Sequence, residues 1–318
     1  MSAAAIEARG LGKSYKLGLR QREVRALDAL DLSVAEGSIY GFVGPNGAGK
    51  STTIRMLVGL AAPTAGEARI FGIPIARPEA RRALGYLPEN PSFHDFLKPL
   101  EVLHLMGALS GLSGQELARR SDTLLEQVGL GHARDLTVRK FSKGMVQRLG
   151  IAQALIHDPP LLVLDEPMSG LDPVGRRDVR ELILELRRRG KTVFFSTHIL
   201  SDVESICDRV GMVSRGRLVA EGALSTLLDG TIRSVELRCG GLPPDRAAAL
   251  SARALTSHQG PADLTLVFAD VAGASAAAAE VVAAGGVLLG LSPQRESLEE
   301  TFMRVAVGGA PTPEPPAP

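Results

Sequence analysis

The octapeptide Gly44-Pro45-Asn46-Gly47-Ala48-Gly49-Lys50-Ser51 fits the pattern G-x-x-x-x-G-K-[ST]. A loop of this kind needs a buried strand ahead of it and a helix behind it. Ile39-Tyr40-Gly41-Phe42-Val43 reads as that strand, and Thr52-Thr53-Ile54-Arg55-Met56-Leu57 as that helix. The glycines let the backbone turn tightly and aim its N–H groups at phosphate oxygens. The helix start, at Thr52, adds a partial positive charge at the same place. Lys50 can reach terminal phosphates, and the Ser51 hydroxyl can ligate Mg²⁺. The constraint is therefore an α/β fold with a phosphate-binding loop at a strand end.

Composition narrows the partners. A chain of 318 residues with a net charge of +1 carries no excess of positive charge for a polyanion, so no nucleic-acid partner is expected. The densest basic run, Arg187-Arg188-Arg189, falls at the end of a predicted helix, where it complements the helix dipole. The two cysteines, Cys207 and Cys239, form no C-x-x-C pair, which argues against a zinc site or a disulfide framework. No signal-peptide core is expected at the N-terminus. The longest apolar run, Val281 to Leu291, is interrupted by Gly285 and Gly286 and is too short to span a bilayer. A cytoplasmic protein is expected, one that reaches a membrane only through a partner chain.

Residues 1–230 alternate short apolar runs with helical patterns, as an α/β domain does. Leu161 to Leu164 is apolar without alternation, the mark of a strand buried on both faces, and Val193-Phe194-Phe195 is similar. Arg209 to Val213 and Leu218 to Ala220 read as a hairpin. Between about 90 and 156 the pattern is helical, which predicts an inserted helical subdomain. Residues 231–307 predict a small α+β module. Within it Ser297 and Glu300 are spaced as a capping box. Residues 308–318 are too proline-rich to pack and predict a disordered tail.

Four further features bear on the site. Asp165 ends a buried strand where a carboxylate can hold Mg²⁺, and the adjacent Glu166 can polarise an attacking water. His198 follows a second buried strand, within reach of a terminal phosphate. Ser142-Lys143-Gly144-Met145 starts a helix, which makes a cap and a second possible anion site. Ser169-Gly170-Leu171-Asp172 forms a turn just after the carboxylates.

In this order, these features resemble the ATP-binding subunit of an ABC transporter over residues of about 5 to 225. Gly44 to Ser51 is similar to its Walker A motif, and Leu161 to Glu166 to its Walker B motif with a catalytic glutamate. Ser142 to Arg148 is similar to the signature, Ser169 to Asp172 to the D-loop, and His198 to the switch histidine. The resemblance implies that Tyr15 stacks on adenine. It departs at Lys143 and Met145, where the family usually has glycine and glutamine, and at Glu89, where it usually has glutamine. S-K-G-M signatures and a small C-terminal appendage are features of one bacterial exporter branch.

The fold class implied is a P-loop NTPase cassette with an inserted helical subdomain and a C-terminal α+β module. The implied cofactors are ATP and Mg²⁺. Catalysis would fall to Glu166, His198 and Lys50, and the metal to Ser51, Asp165 and Glu89. The family works as a head-to-tail dimer, here expected to be a homodimer, that places Ser142 to Met145 of one cassette over the P-loop of the other. The chain would power an exporter through a separate membrane permease subunit, peripheral to the inner face of the cell membrane. A soluble ABC-type ATPase remodelling a non-membrane target is the alternative. A GTPase would carry an Asn-Lys-x-Asp motif, and none occurs. A small-molecule kinase would leave the signature and His198 unexplained.

Overall fold

Strands Ile39–Val43, Leu161–Asp165 and Thr192–Thr197 are buried along their whole length, as their unbroken apolar runs require. They form the middle of a six-stranded sheet in a computed structural model that describes residues 4–17, 22–228, 233–260, 263–294 and 297–308. Across this sheet the order is 217–223, 209–214, 39–43, 192–197, 161–165, 84–87. All neighbours are parallel except the hairpin Arg209–Ser214/Arg217–Ala223. The register pairs Val43 with Thr197 and Asp165 with Ser196. Three strands thus end at one level, and the residues that follow them open onto one edge, where ligands of open α/β sheets bind.

A second sheet is antiparallel. Its strands are Ala4–Leu17, Arg22–Ala35, Ala65–Ile70 and Ile73–Pro74. Ile6, Leu11, Leu30 and Ile70 from this sheet share one apolar core with Tyr40, Phe42 and Phe194 of the first. Ile54, Met56 and Leu57 of the helix Lys50–Leu57 complete that core. Each such buried side chain stabilises by roughly 1.5–3 kcal/mol, so the phosphate loop is anchored through its helix. Tyr40 keeps its hydroxyl satisfied by donating to Glu221 Oε1 at 2.9 Å, and burial pushes its pKa well above the usual value.

Helices Pro99–Leu109, Gly114–Gln127 and Lys143–Leu155 pack together, with Leu103, Leu125, Leu149 and Ile151 inside. The last begins at Ser142, whose hydroxyl accepts Met145 N–H at 3.3 Å. The helix Pro173–Arg188 begins at Asp172, whose carboxylate accepts Gly175 N–H at 2.9 Å. At its other end Arg188 and Arg189 pair with Glu185 and Arg187 with Asp208, so that basic run is spent on the chain's own carboxylates.

The chain divides into two compact units, one running to Leu224 and resumed from Val305, and one running from Ser225 to Arg304. In the second, Thr256–Gln259, Leu264–Phe268, Ser234–Gly240 and Val287–Gln294 form an antiparallel sheet in that order. The helix Val271–Ala283 covers one face through Ala274, Ala277 and Val281. The helix Leu298–Gly308 begins with the expected box: Ser297 Oγ accepts Glu300 N–H at 3.2 Å, and Glu300 Oε2 accepts Ser297 N–H at 3.0 Å. The proline-rich tail falls, beyond Gly308, outside the described residues. Among the described residues no helix is long and apolar enough to cross a membrane.

Candidate functional site

The loop after Val43 can only be built with glycine at two points. A Cβ on Gly44 would stand 2.2 Å from the carbonyl oxygen of Val213. Gly49 has φ +110°, and a Cβ there would meet Ala26 O at 2.8 Å. Hydrogen bonds hold the loop from both sides. Gly44 N–H donates to Thr197 O at 3.3 Å, and Gly216 N–H of the hairpin turn donates to Ala48 O at 2.9 Å. Inside the loop, Ala48 N–H donates to Pro45 O at 3.2 Å. The helix that follows has no side-chain cap, so its first-turn N–H groups are left for an anion. Lys50, 6% exposed, donates to Gly44 O at 2.7 Å and to Pro45 O at 3.3 Å.

One serine ties the two carboxylate residues together. Ser196 Oγ donates to Asp165 Oδ1 at 2.6 Å and accepts Glu166 N–H at 3.0 Å. Ser51 Oγ lies 3.5 Å from the same Asp165 oxygen. Glu166 adopts φ +49°, a left-handed conformation that costs a non-glycine residue about 1–3 kcal/mol. That turn aims its carboxylate back at the loop. Oε1 lies 3.4 Å from Lys50 Nζ, and Oε2 lies 3.0 Å from His198 Nδ1. Lys50 and Glu166 are both nearly buried, so each charge is supported by the other in a medium that penalises either alone.

A cleft of about 410 Å³ opens over these groups. Asn46, Lys50, Ser51, Thr52, Glu166 and His198 line it, together with Pro45, Gly47 and Gly49 of the loop. Glu89 closes one side and Ser169 another. Gly44 and Ala48 sit beneath, buried; Ala48 belongs to the apolar core. Ser51 hydroxyl and Asp165 carboxylate are hard oxygen donors set side by side, and they fit a Mg²⁺ ion. Glu89 stands on the cleft wall, exposed, and takes no part in the bonds joining Ser51, Ser196 and Asp165.

The other residues singled out from sequence lie elsewhere on this chain. Tyr15 is on the antiparallel sheet, half-buried opposite Val24, with Lys13 Nζ 5.2 Å from its ring centre; it does not line the cleft. Ser142, Lys143, Gly144 and Met145 start the helix Lys143–Leu155 and lie against the Ser169–Asp172 turn. Lys143 reaches over Gly170, and Gly144 faces Leu171. This chain's own cleft is therefore lined by the loop, Glu166 and His198, and not by Ser142 to Met145.

Two participants escaped the sequence. Ser196 is fully buried just past the apolar run Val193-Phe194-Phe195, and a hydroxyl there, beside a carboxylate-ended strand, was the available signal. Asp202, 2% exposed, faces Arg176 at 3.7 Å and Arg180 at 3.9 Å. Burial raises its pKa against the pull of both arginines. Nothing in the sequence distinguishes it from a solvated helix carboxylate.

A parallel sheet with a phosphate loop, a helix N-terminus and a paired carboxylate-histidine at its carboxyl edge defines a P-loop nucleotide-binding protein. Residues 27–169 match the family described as ABC transporter. An ABC transporter ATP-binding protein of Synechocystis sp. is 44% identical over 231 residues, 72% of this chain and 65% of that protein. The chain thus spans less than two thirds of that relative's length. The Nod factor export ATP-binding protein I of Cupriavidus metallidurans is 40% identical over 67% of this chain and 74% of its own. Among solved structures, the dimeric post-hydrolysis state of the ATP-binding cassette MJ0796 with ADP and Pi superposes with a TM-score of 0.63. It is 27% identical over 69% of this chain and 98% of that one. The chain belongs to the ABC transporter ATP-binding proteins.

Proposed function

We propose that this chain binds and hydrolyses Mg·ATP as the ATP-binding subunit of a bacterial exporter. The observation that carries the reading is Glu166, held between Lys50 and His198 at the mouth of the phosphate loop. There Glu166 orients and polarises the attacking water. Lys50 and the first-turn N–H groups hold the terminal phosphates, and His198 supports the charge that develops on the γ-phosphate. Ser51 and Asp165 would hold Mg²⁺, which would supply further neutralisation of phosphate charge. Glu89 on the cleft wall would offer the metal a further anionic oxygen.

Head-to-tail dimerisation of two cassettes accounts for a signature segment that lies outside its own cleft. In that dimer Ser142, Lys143, Gly144 and Met145 of one copy face the phosphates held by the other, and Tyr15 stacks on adenine. The dimeric state of the solved cassette and the export role in the Cupriavidus relative's name support this reading. A separate permease supplies the membrane path, and the subunit works at the inner face of the membrane. The test is ATPase activity and membrane recovery with and without a co-expressed candidate permease. Stimulated turnover and permease-dependent recovery are expected. Equal membrane recovery in cells lacking every candidate permease would contradict the exporter reading.

A further inference from the structure

The Glu166–His198 pair closes a ring of contacts whose far side is Asp202. Two residues beyond Glu166, the carbonyl of Met168 accepts Arg176 Nε at 3.4 Å. The other end of that guanidinium, Nη2, lies 3.7 Å from Asp202 Oδ2. Asp202 is four residues beyond His198, on the short helix Leu200–Ile206, and its N–H donates back to Ile199 O at 3.3 Å. His198 Nδ1 then returns to Glu166 Oε2 at 3.0 Å. The ring therefore joins the turn after Glu166, the start of the helix Pro173–Arg188 and the segment carrying His198.

We propose that Asp202 is a positioning residue for ATP hydrolysis: through Arg176 it fixes the separation of Glu166 and His198. The proposal rests on the hydrolytic reading of the same site. Three observations favour position over bulk stability. Asp202 Oδ2 is buried with no hydrogen-bond partner, and so is Arg180 Nε. A buried carboxylate with one oxygen unpaired costs stability, and an apolar residue of similar size would not. Neither arginine closes to hydrogen-bond distance on the carboxylate, so the linkage has room to tighten or slacken. Finally, the strained φ of Glu166 needs support from its surroundings, and the Met168–Arg176 bond lies just downstream of it.

The test combines kinetics with hydrogen exchange on the full chain. Asp202→Asn is expected to lower kcat about tenfold while KM for ATP moves less than about twofold, because only the reacting geometry is disturbed. Asp202→Glu should recover most of the loss. Arg176→Gln should cost a similar factor, and the double variant Arg176→Gln/Asp202→Asn no more than either single one, since both open the same ring. Without nucleotide, amides of Met168, Ser169, His198 and Ile199 should exchange faster in Asp202→Asn than in wild type. Unchanged exchange at these amides would overturn the proposal whether or not the chain hydrolyses ATP. So would a kcat loss that tracks a fall in melting temperature, or additive losses in the double variant. Wild-type hydrolysis with unaltered kcat in Asp202→Asn would refute the positioning role alone and leave the hydrolytic reading intact.

Discussion

The two units of this chain use apolar residues in opposite ways. In the first, the strands Ile39–Val43, Leu161–Asp165 and Thr192–Thr197 are buried on both faces, and the chemistry stands at their carboxyl ends. Buried polar side chains there, Lys50, Asp165, Glu166 and Ser196, all bond to one another or to the loop. In the second, the sheet alternates: Val235, Leu237 and Cys239 face the core while Glu236 and Arg238 do not. Its edge strand Val287–Gln294 leaves Leu289 54% and Val287 58% exposed. Among the described residues this unit has free, buried Cys239 and an ion pair of Arg238 with Asp263, but no grouping like that at the cleft. The difference teaches that burial on both faces is what makes a few polar groups at strand ends chemically potent. A half-covered sheet builds a module without concentrating charge.

That contrast can be broken by substitution, with ATP turnover as the common scale. Glu166→Gln is expected to have the largest effect. Turnover should fall by about 100- to 10,000-fold, the usual cost of losing a positioned base, while ATP still binds. A radiolabelled ATP binding assay beside a phosphate-release assay checks both halves. Ser196→Ala comes next. It strips Asp165 of its closer hydroxyl donor and leaves Glu166 N–H buried without a partner. A stability loss of about 1–3 kcal/mol by chemical denaturation, with roughly tenfold slower turnover, is expected. Stability and rate both at wild-type values would show that the serine bridge is incidental.

Glu89→Gln should act more gently and on the metal. Replacing an anionic oxygen by a neutral one is expected to raise the Mg²⁺ concentration for half-maximal turnover a few-fold, about 2–5, because hard cations favour charged oxygen. An unchanged half-saturation would leave Glu89 as a wall residue only. Leu289→Lys, in the second unit, is expected to change nothing on the turnover scale and to keep stability within about 0.5 kcal/mol. A charge on an exposed edge strand should instead raise solubility at high protein concentration. Lost turnover in this variant would show that the second unit reaches the cleft after all.

Much of the first unit was legible because its signals are local. The phosphate loop, the carboxylate-ended strand and the helices between 99 and 155 are each set by neighbours in sequence. The Ser297–Glu300 box was legible for the same reason. The antiparallel sheet was not. Its two 14-residue strands pair through several register shifts, between Ala8 and Leu11 among others, and each shift breaks the period-two pattern that marks a strand. Ser196 and Asp202 were hidden because their partners lie about 22 to 31 residues away along the chain and are brought close only by strand pairing and helix packing. Val287 to Leu291 reads as a strand, and is one, but nothing in its composition says that it lies at a sheet edge.

Hydrogen exchange mapped along the whole chain, with and without Mg·ATP, tests the central claim that nucleotide is held by the first unit alone. The account predicts slower exchange at the amides of Gly47 to Thr52, at Glu166 and at His198. It predicts no change from Ser234 to Arg304, because the phosphate loop, Lys50, Glu166 and His198, which line the cleft, all belong to the first unit. Protection in the strands of the second unit, with none across the phosphate loop, would contradict it.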